Sequence, residues 1–194
     1  MLYTKYNTSM YKFILSSLYF FLPAYFTNMT PPLAKRFRVF DFLDKPIDSN
    51  KTFNNKPILG AHKTWRGLVA GMIVGILVVY LQKWFYQFSW IKEISLFNYE
   101  KINVLLLGFL LSSGAVFGDL FFAFLKRRLN LKPGAKFLPF DQINYVIGVY
   151  IFFSLTSFFK IDNLVWIVLL ISTFFLHIIV NRLGYYLGLH RAKW

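Results

Sequence analysis

The chain has 194 residues, of which 57% are hydrophobic, 21% aromatic and only 15% charged, with a mean hydropathy of +0.49. A soluble domain carries about 25% charged residues, so this composition argues against a water-soluble globule and for a membrane protein. Twenty-two Lys and Arg against eight acids give a net charge of +14; because the cations lie between apolar runs, anionic lipid head groups or phosphorylated small molecules are expected as partners, not nucleic acid.

Five apolar stretches follow one another along the chain, at about 13–29, 67–86, 102–125, 143–159 and 164–180. Each, at about 17–24 residues, is long enough to cross a hydrocarbon core of ~30 Å as a helix. The first and fourth are short, which predicts tilting or local thinning. Lys5 and Lys12 precede the first stretch like the start of a signal peptide, but no small-residue cleavage site follows, so a retained helix is expected. The predicted fold is all-α and polytopic, a single integral-membrane domain over 1–194.

Between the stretches the charge is uneven. The loop 30–66 carries Lys35, Arg36, Arg38, Lys45, Lys51, Lys56, Lys63 and Arg66; the loop 126–142 carries Lys126, Arg127, Arg128, Lys132 and Lys136. The tail adds Arg182, Arg191 and Lys193, whereas Lys5, Lys12, Lys83, Lys92, Lys101 and Lys160 fall on the opposite side. By the positive-inside rule both basic loops and the C-terminus are cytoplasmic and the N-terminus is outside. Pro31-Pro32 and the segment from Lys45 to Asn50 are expected to break up the first loop. Gly67, Gly71 and Gly75, Gly114 with Gly118, and Gly184 with Gly188 repeat at four-residue spacing, which reads as close helix packing and would also allow a homodimer.

With no cysteine, disulfides, thiolate metal sites and cysteine nucleophiles are ruled out. Asp119 lies within an apolar stretch, where an acid costs about 2.5–3.5 kcal/mol, and Lys126 follows almost on the same helix face. That pattern fits a structural ion pair or a metal or proton site. Lys126-Arg127-Arg128 and Lys132 can anchor anionic lipid or bind phosphate. Asp141 is a candidate N-cap for the fourth helix, with Asn144 one turn later. His62, Lys63, Thr64 and Arg66 form a donor-rich cluster before the second stretch, suited to phosphate oxygens but not spaced as a P-loop. His177 and His190 read as a span residue and a tail residue. Carboxylates and phosphate-binding cations on one membrane face point to metal-dependent phosphoryl or nucleotidyl transfer, since Mg²⁺ is usually held by one or two carboxylates and substrate phosphates.

Gly118-Asp119-Leu120, Phe124-Leu125-Lys126-Arg127-Arg128, Lys132-Pro133-Gly134 and Pro139-Phe140-Asp141-Gln142 together resemble the CTP-dependent lipid cytidylyltransferases. The short branch, CDP-archaeol synthase, related to the C-terminal part of phosphatidate cytidylyltransferase, is the more similar. Residues 22–29, Pro46-Ile47-Asp48 and Leu59-Gly60-Ala61-His62-Lys63-Thr64-Trp65-Arg66-Gly67 also look like that branch. The resemblance implies that CTP and a lipid phosphate give a CDP-lipid and pyrophosphate at a cytoplasmic site in the cell membrane, with Mg²⁺ as cofactor. It implies Asp119 and Asp141 as metal-linked carboxylates with Lys126 among the catalytic groups. It implies Lys126, Arg127, Arg128 and Lys132 on CTP phosphates, His62, Lys63, Thr64 and Arg66 on the triphosphate or lipid phosphate, and Asp48 and Asn28 completing the pocket. Two departures stand out: Asn144 replaces a frequent second acid, leaving it a neutral metal ligand and a two-metal site in doubt, and Ala123 replaces a common Ser. A CTP-dependent lipid kinase and a non-catalytic lipid-binding scaffold are the alternative readings. Whether the lipid is diacyl or isoprenoid ether is left open.

Overall fold

The computed structural model describes residues 9–132 and 135–186, so Lys5, Pro133, Gly134, Gly188, His190, Arg191 and Lys193 lie outside the described residues. Six α-helices account for most of it: α1 Met10–Arg36, α2 Trp65–Phe85, α3 Ser89–Ile94, α4 Val104–Arg128, α5 Phe140–Ser154 and α6 Asn163–Tyr186. By length and composition, Trp65–Phe85, Val104–Arg128 and Asn163–Leu183 can cross a membrane. The other two predicted spans differ from expectation in instructive ways. Helix α5 has 15 residues and at 1.5 Å per residue covers only ~22 Å. Helix α1 has 27 residues and is long enough, but its serines, threonines and terminal cations dilute its apolar character.

Pro31 and Pro32 do not open the first loop; they lie inside α1, which continues to Arg36. A proline cannot donate to the carbonyl four residues earlier, so each proline leaves one carbonyl of α1 free. Pro23 frees the Tyr19 carbonyl, which accepts a hydrogen bond from Gln82 Nε2 of α2 at 2.5 Å. Pro31 frees the Thr27 carbonyl at the point where Gly71 of α2 comes closest to α1.

Glycine sets the closest seams. At Gly75 a Cβ would lie 2.2 Å from the hydroxyls of both Thr27 and Ser112, so α1, α2 and α4 meet there. At Gly118 a Cβ would lie 2.2 Å from the Asn144 carbonyl, and Gly148 of α5 faces Gly114 and Gly118 of α4 equally closely. Without a hydrophobic force between helices in lipid, such backbone approach is what van der Waals packing needs. Gly67, Gly71, Gly75, Gly114 and Gly118 are therefore engaged within the chain, which removes them as a basis for a homodimer. At the bundle centre Phe20 and Phe21 of α1 pack with Leu107, Leu111, Val149 and Leu169, all buried. Phe153 and Trp166 meet Phe20 edge-on, with ring centroids 5.8 and 6.1 Å away.

The chain between α1 and α2 is built rather than loose. A 3₁₀ turn at Asp41–Leu43 leads to an antiparallel pair, β1 Thr52–Phe53 and β2 Lys56–Pro57, in register Thr52↔Pro57 and Phe53↔Lys56. Asn54 and Asn55, with φ of 50° and 58°, form its two-residue turn. Pro46 bridges to Thr64, where Ile47 N–H donates to the Lys63 carbonyl at 2.8 Å and Trp65 N–H to the Lys45 carbonyl at 3.0 Å. This short ladder holds the chain beside Lys63 at the start of α2.

Candidate active site

Helix α4 carries Asp119, Ala123, Lys126 and Arg127 at i, i+4, i+7 and i+8, which share one helix face. The start of α5 brings Asp141 and Asn144 opposite them, and the segment before α2 adds Leu59, His62 and Lys63. Together these residues line one cavity of about 340 Å³. Two carboxylates and three cations share its walls.

The ion pairs are not those that sequence spacing suggests. Lys63 Nζ lies 2.7 and 2.6 Å from the two Asp119 oxygens, and Lys126 Nζ lies 2.9 Å from both Asp141 oxygens. No Asp119–Lys126 pair forms along the helix, because each head is engaged by a partner from another segment. Asp141 is not an N-cap either. Pro139 holds that position, and Asp141 lies in the first turn, where its Oδ2 accepts the Phe137 N–H at 2.8 Å. A carboxylate there is favoured by the helix dipole.

Arg127 is the buried cation of the cavity. Its Nη2 donates to the Lys132 carbonyl at 3.2 Å, while Nε and Nη1 have no hydrogen-bond partner among the described residues. Two unused donors on a buried guanidinium are costly, and an anionic ligand in the cavity would satisfy them. Asn144 is buried, and its Oδ1 accepts the Tyr145 N–H at 2.6 Å.

A smaller cavity of about 70 Å³ adjoins the first, lined by Thr27, Asn28 and Pro31 of α1, Thr64 just before α2, Gly67 and Leu68 of α2, and Val116 and Leu120 of α4 among others. His62, Lys63 and Asp119 line both cavities. The shared wall is thus one histidine and one lysine–aspartate pair. Thr64 also caps α2, its hydroxyl accepting the Gly67 N–H at 3.3 Å.

Four sequence candidates lie elsewhere. Arg66, only 3% exposed, points away from both cavities into a clamp, with Nη1 2.6 Å from Asp41 and Nη2 2.8 Å from Asp44. Arg128 donates to the Phe53, Lys56 and Pro57 carbonyls and stacks near the rings of Phe53 and Phe124, fastening the hairpin to the end of α4. Lys132 contributes its carbonyl to Arg127, while its residue is exposed outside the cavity lining. Asp48 accepts N–H groups from Asn50 at 3.0 Å, Leu59 at 2.8 Å and Gly60 at 3.1 Å. Burial pushes the Asp48 carboxyl up, but those backbone donors outweigh it and hold the group below its ordinary value. Arg66, Arg128 and Asp48 hold the loop that carries His62 and Lys63. Leu59 and Thr27, and the clamp acids Asp41 and Asp44, were not legible as site residues, since an isolated leucine or aspartate in a loop carries no spacing signal.

Among the described residues no three or more of His, Cys, Asp and Glu gather as a self-sufficient metal cage. Two carboxylates facing one cavity, beside cations that can take phosphate, do fit a hard divalent ion that arrives with a polyphosphate and keeps water in its shell.

A family model described as CarS-like CDP-archaeol synthase matches residues 10–194. The CDP-archaeol synthase of Methanococcoides burtonii is 36% identical over 185 residues, covering 89% of this chain and 99% of the relative. That of Archaeoglobus fulgidus is 35% identical over 185 residues, covering 93% and 98%. Among solved structures, an intramembrane enzyme for archaeal membrane lipid biosynthesis superposes with a TM-score of 0.67 at 23% identity, covering 87% of this chain and 94% of that one. At that identity the likeness concerns the fold.

Proposed function

The chain belongs to the CDP-archaeol synthase family, and from that premise we propose that it joins CTP to a membrane lipid phosphate, releasing pyrophosphate and leaving a CDP-lipid. The observation that carries the reading is the cavity where Asp119, Asp141, Lys63, Lys126 and Arg127 meet. The name of the relatives favours an isoprenoid ether lipid phosphate over phosphatidic acid as substrate, and it favours a cytidylyltransferase over a lipid kinase or a non-catalytic scaffold.

In this reading the larger basic cavity takes the triphosphate of CTP and the smaller one, bounded by membrane helices, takes the lipid phosphate. A lipid phosphate oxygen attacks the α-phosphorus; the bond from that phosphorus to the bridging oxygen of the β-phosphate breaks, and pyrophosphate leaves. No covalent intermediate on the protein is required. Lys63 and Lys126 move from carboxylate to phosphate oxygens when the nucleotide enters, which frees Asp119 and Asp141. Arg127 holds the polyphosphate with the two nitrogens that lack partners. His62, on the wall shared by both cavities, donates to the incoming phosphate. Asp119 and Asp141, once freed, would hold Mg²⁺ with the nucleotide, and the ion would supply neutralisation of the charge that builds on the leaving pyrophosphate. Asn144 offers a neutral oxygen beside them, so one metal is the simpler arrangement.

The same reading places the protein in the cell membrane as a single domain with five spans, α3 lying outside the count, and puts the cavity on the cytoplasmic face. The apolar runs and the charge asymmetry of the loops support this. Pyrophosphate release by the purified protein in liposomes tests the proposal, with CTP, Mg²⁺ and either phosphatidic acid or an ether lipid phosphate. Lipid-dependent release that is lost in Asp119→Asn is expected; CDP in place of pyrophosphate, or no turnover with either lipid, rejects it.

A further inference from the structure

The segment that follows α1 commits its acids to partners and leaves its cations without ion pairs among the described residues. Asp41 and Asp44 hold Arg66, and Asp48 receives three backbone N–H groups. Lys35, Arg36, Arg38 and Lys45 are exposed, and none has an ion-pair partner among the described residues. Among these cations Phe37 is 69% exposed, Val39 45% and Phe42 73%. Phe40, half-buried at a φ of 54°, packs edge-on against Phe42 with centroids 6.3 Å apart. A bulky side chain at positive φ is disfavoured, so the turn that presents Phe42 depends on what holds it, namely the clamp on Arg66.

Neither bulk water nor hydrocarbon suits this mixture. Exposed phenylalanines lose by facing water, and cations lose by entering the bilayer centre. The head-group layer of a negatively charged leaflet suits both, because aromatic tips insert to the acyl boundary while basic side chains meet phosphates. We propose that residues 35–45 form an interfacial collar that docks on an anionic lipid leaflet, inserting Phe37 and Phe42 among the head groups while Lys35, Arg36, Arg38 and Lys45 pair with lipid phosphates. Its position directly after the apolar helix α1 brings it to that layer. The collar does not depend on the chemistry of the cavity.

The absence of cysteine makes the test clean. Phe42→Cys on the full chain supplies one attachment point for an environment-sensitive fluorophore. The labelled protein is reconstituted in vesicles of phosphatidylcholine alone or of phosphatidylcholine and phosphatidylglycerol in equal parts. Emission and quenching by lipids spin-labelled at the head group are then measured. A blue shift and about twofold stronger quenching are expected in the anionic vesicles, with the difference removed by high salt and by Arg36→Gln with Arg38→Gln. Equal quenching in the two vesicle types overturns the charge-directed docking. No quenching in either overturns lipid contact and points to a protein partner. Should the Phe42→Cys protein not be monodisperse, Phe37→Cys carries the same test from the other exposed ring.

Discussion

Two basic clusters of similar composition, one before α2 and one at the end of α4, each divide their cations between the cavity and the scaffold. Around His62-Lys63-Thr64-Trp65-Arg66, Lys63 faces the cavity and binds Asp119, whereas Arg66 turns into the loop and binds Asp41 and Asp44. Around Lys126-Arg127-Arg128, the first two face the cavity and the third ties down the hairpin. In each cluster one arginine builds the scaffold that holds its neighbours in place. Both scaffold residues are arginines, whose guanidinium offers several fixed donors to a multi-partner joint, while the ammonium of Lys63 or Lys126 on its flexible stem can pass from one oxygen to another. Positive charge beside a candidate phosphate site is therefore of two kinds, one that meets ligand and one that shapes the wall.

Substitutions can break this division. The largest effect is expected from Asp119→Asn, which leaves Lys63 without its charge partner in the cavity wall. Turnover should fall about 10²–10³-fold, the scale of removing one preorganised electrostatic group, with little change in thermal stability. A loss of folding instead of turnover would place Asp119 in the scaffold. Asp41→Asn combined with Asp44→Asn should do the opposite. Leaving Arg66 buried and unpaired should destabilise the protein by about 3 kcal/mol, while the nucleotide affinity of the protein that remains folded should stay near the parent value. A selective rise in the CTP KM without destabilisation would return Arg66 to the substrate.

A smaller effect tests the seam beneath the cavity. Gly118→Ala puts a methyl 2.2 Å from the Asn144 carbonyl, and α4 and α5 must part to admit it, at a cost of about 1–3 kcal/mol. Thermal unfolding of the detergent-purified variant reads that cost, and an unchanged midpoint would mean that the seam yields freely. The smallest effect concerns Asp48. A carboxyl held below its ordinary value in the folded protein stabilises its loop above that ordinary value and loses the contribution as pH falls through the lowered one. Hydrogen exchange at the Leu59 and Gly60 amides, corrected for its intrinsic pH dependence, should accelerate as acid protonates Asp48. Asp48→Asn should show the faster exchange at neutral pH already, and no difference between the two proteins would remove Asp48 as the organiser of this loop.

Much of the architecture was legible in the order of residues. Apolar runs of helical length place α2, α4 and α6 within a few residues, because a helix in a nonpolar surrounding must satisfy its own backbone and declares itself by composition. The four-residue glycine spacings of α2 and α4 mark real seams for the same local reason. Less legible were helix ends. Pro31 and Pro32 look like breakers, yet α1 continues through them to Arg36, with Gly71 of α2 packed against the Thr27 carbonyl that Pro31 frees. Asp119, Asp141, Lys63, Lys126 and Arg127 could be nominated from the type and neighbourhood of each residue, but the sequence could not say which charges touch.

Composition and periodicity, which act through neighbours a few residues apart, determined that this chain is helical, apolar and strongly basic between its helices. The pairing of charges was decided only in three dimensions. Asp119 finds Lys63 across 56 residues of sequence rather than Lys126 on its own helix, because the glycine seam of α4 and α5 brings Asp141 to Lys126 while the Pro46–Thr64 bridge fixes the chain at Lys63 beside α4. Whether Arg66 meets ligand or scaffold turns on the same fact: an ion pair depends on a few ångströms of separation, and those distances are set by the packed helices and not by the spacing of residues along the chain.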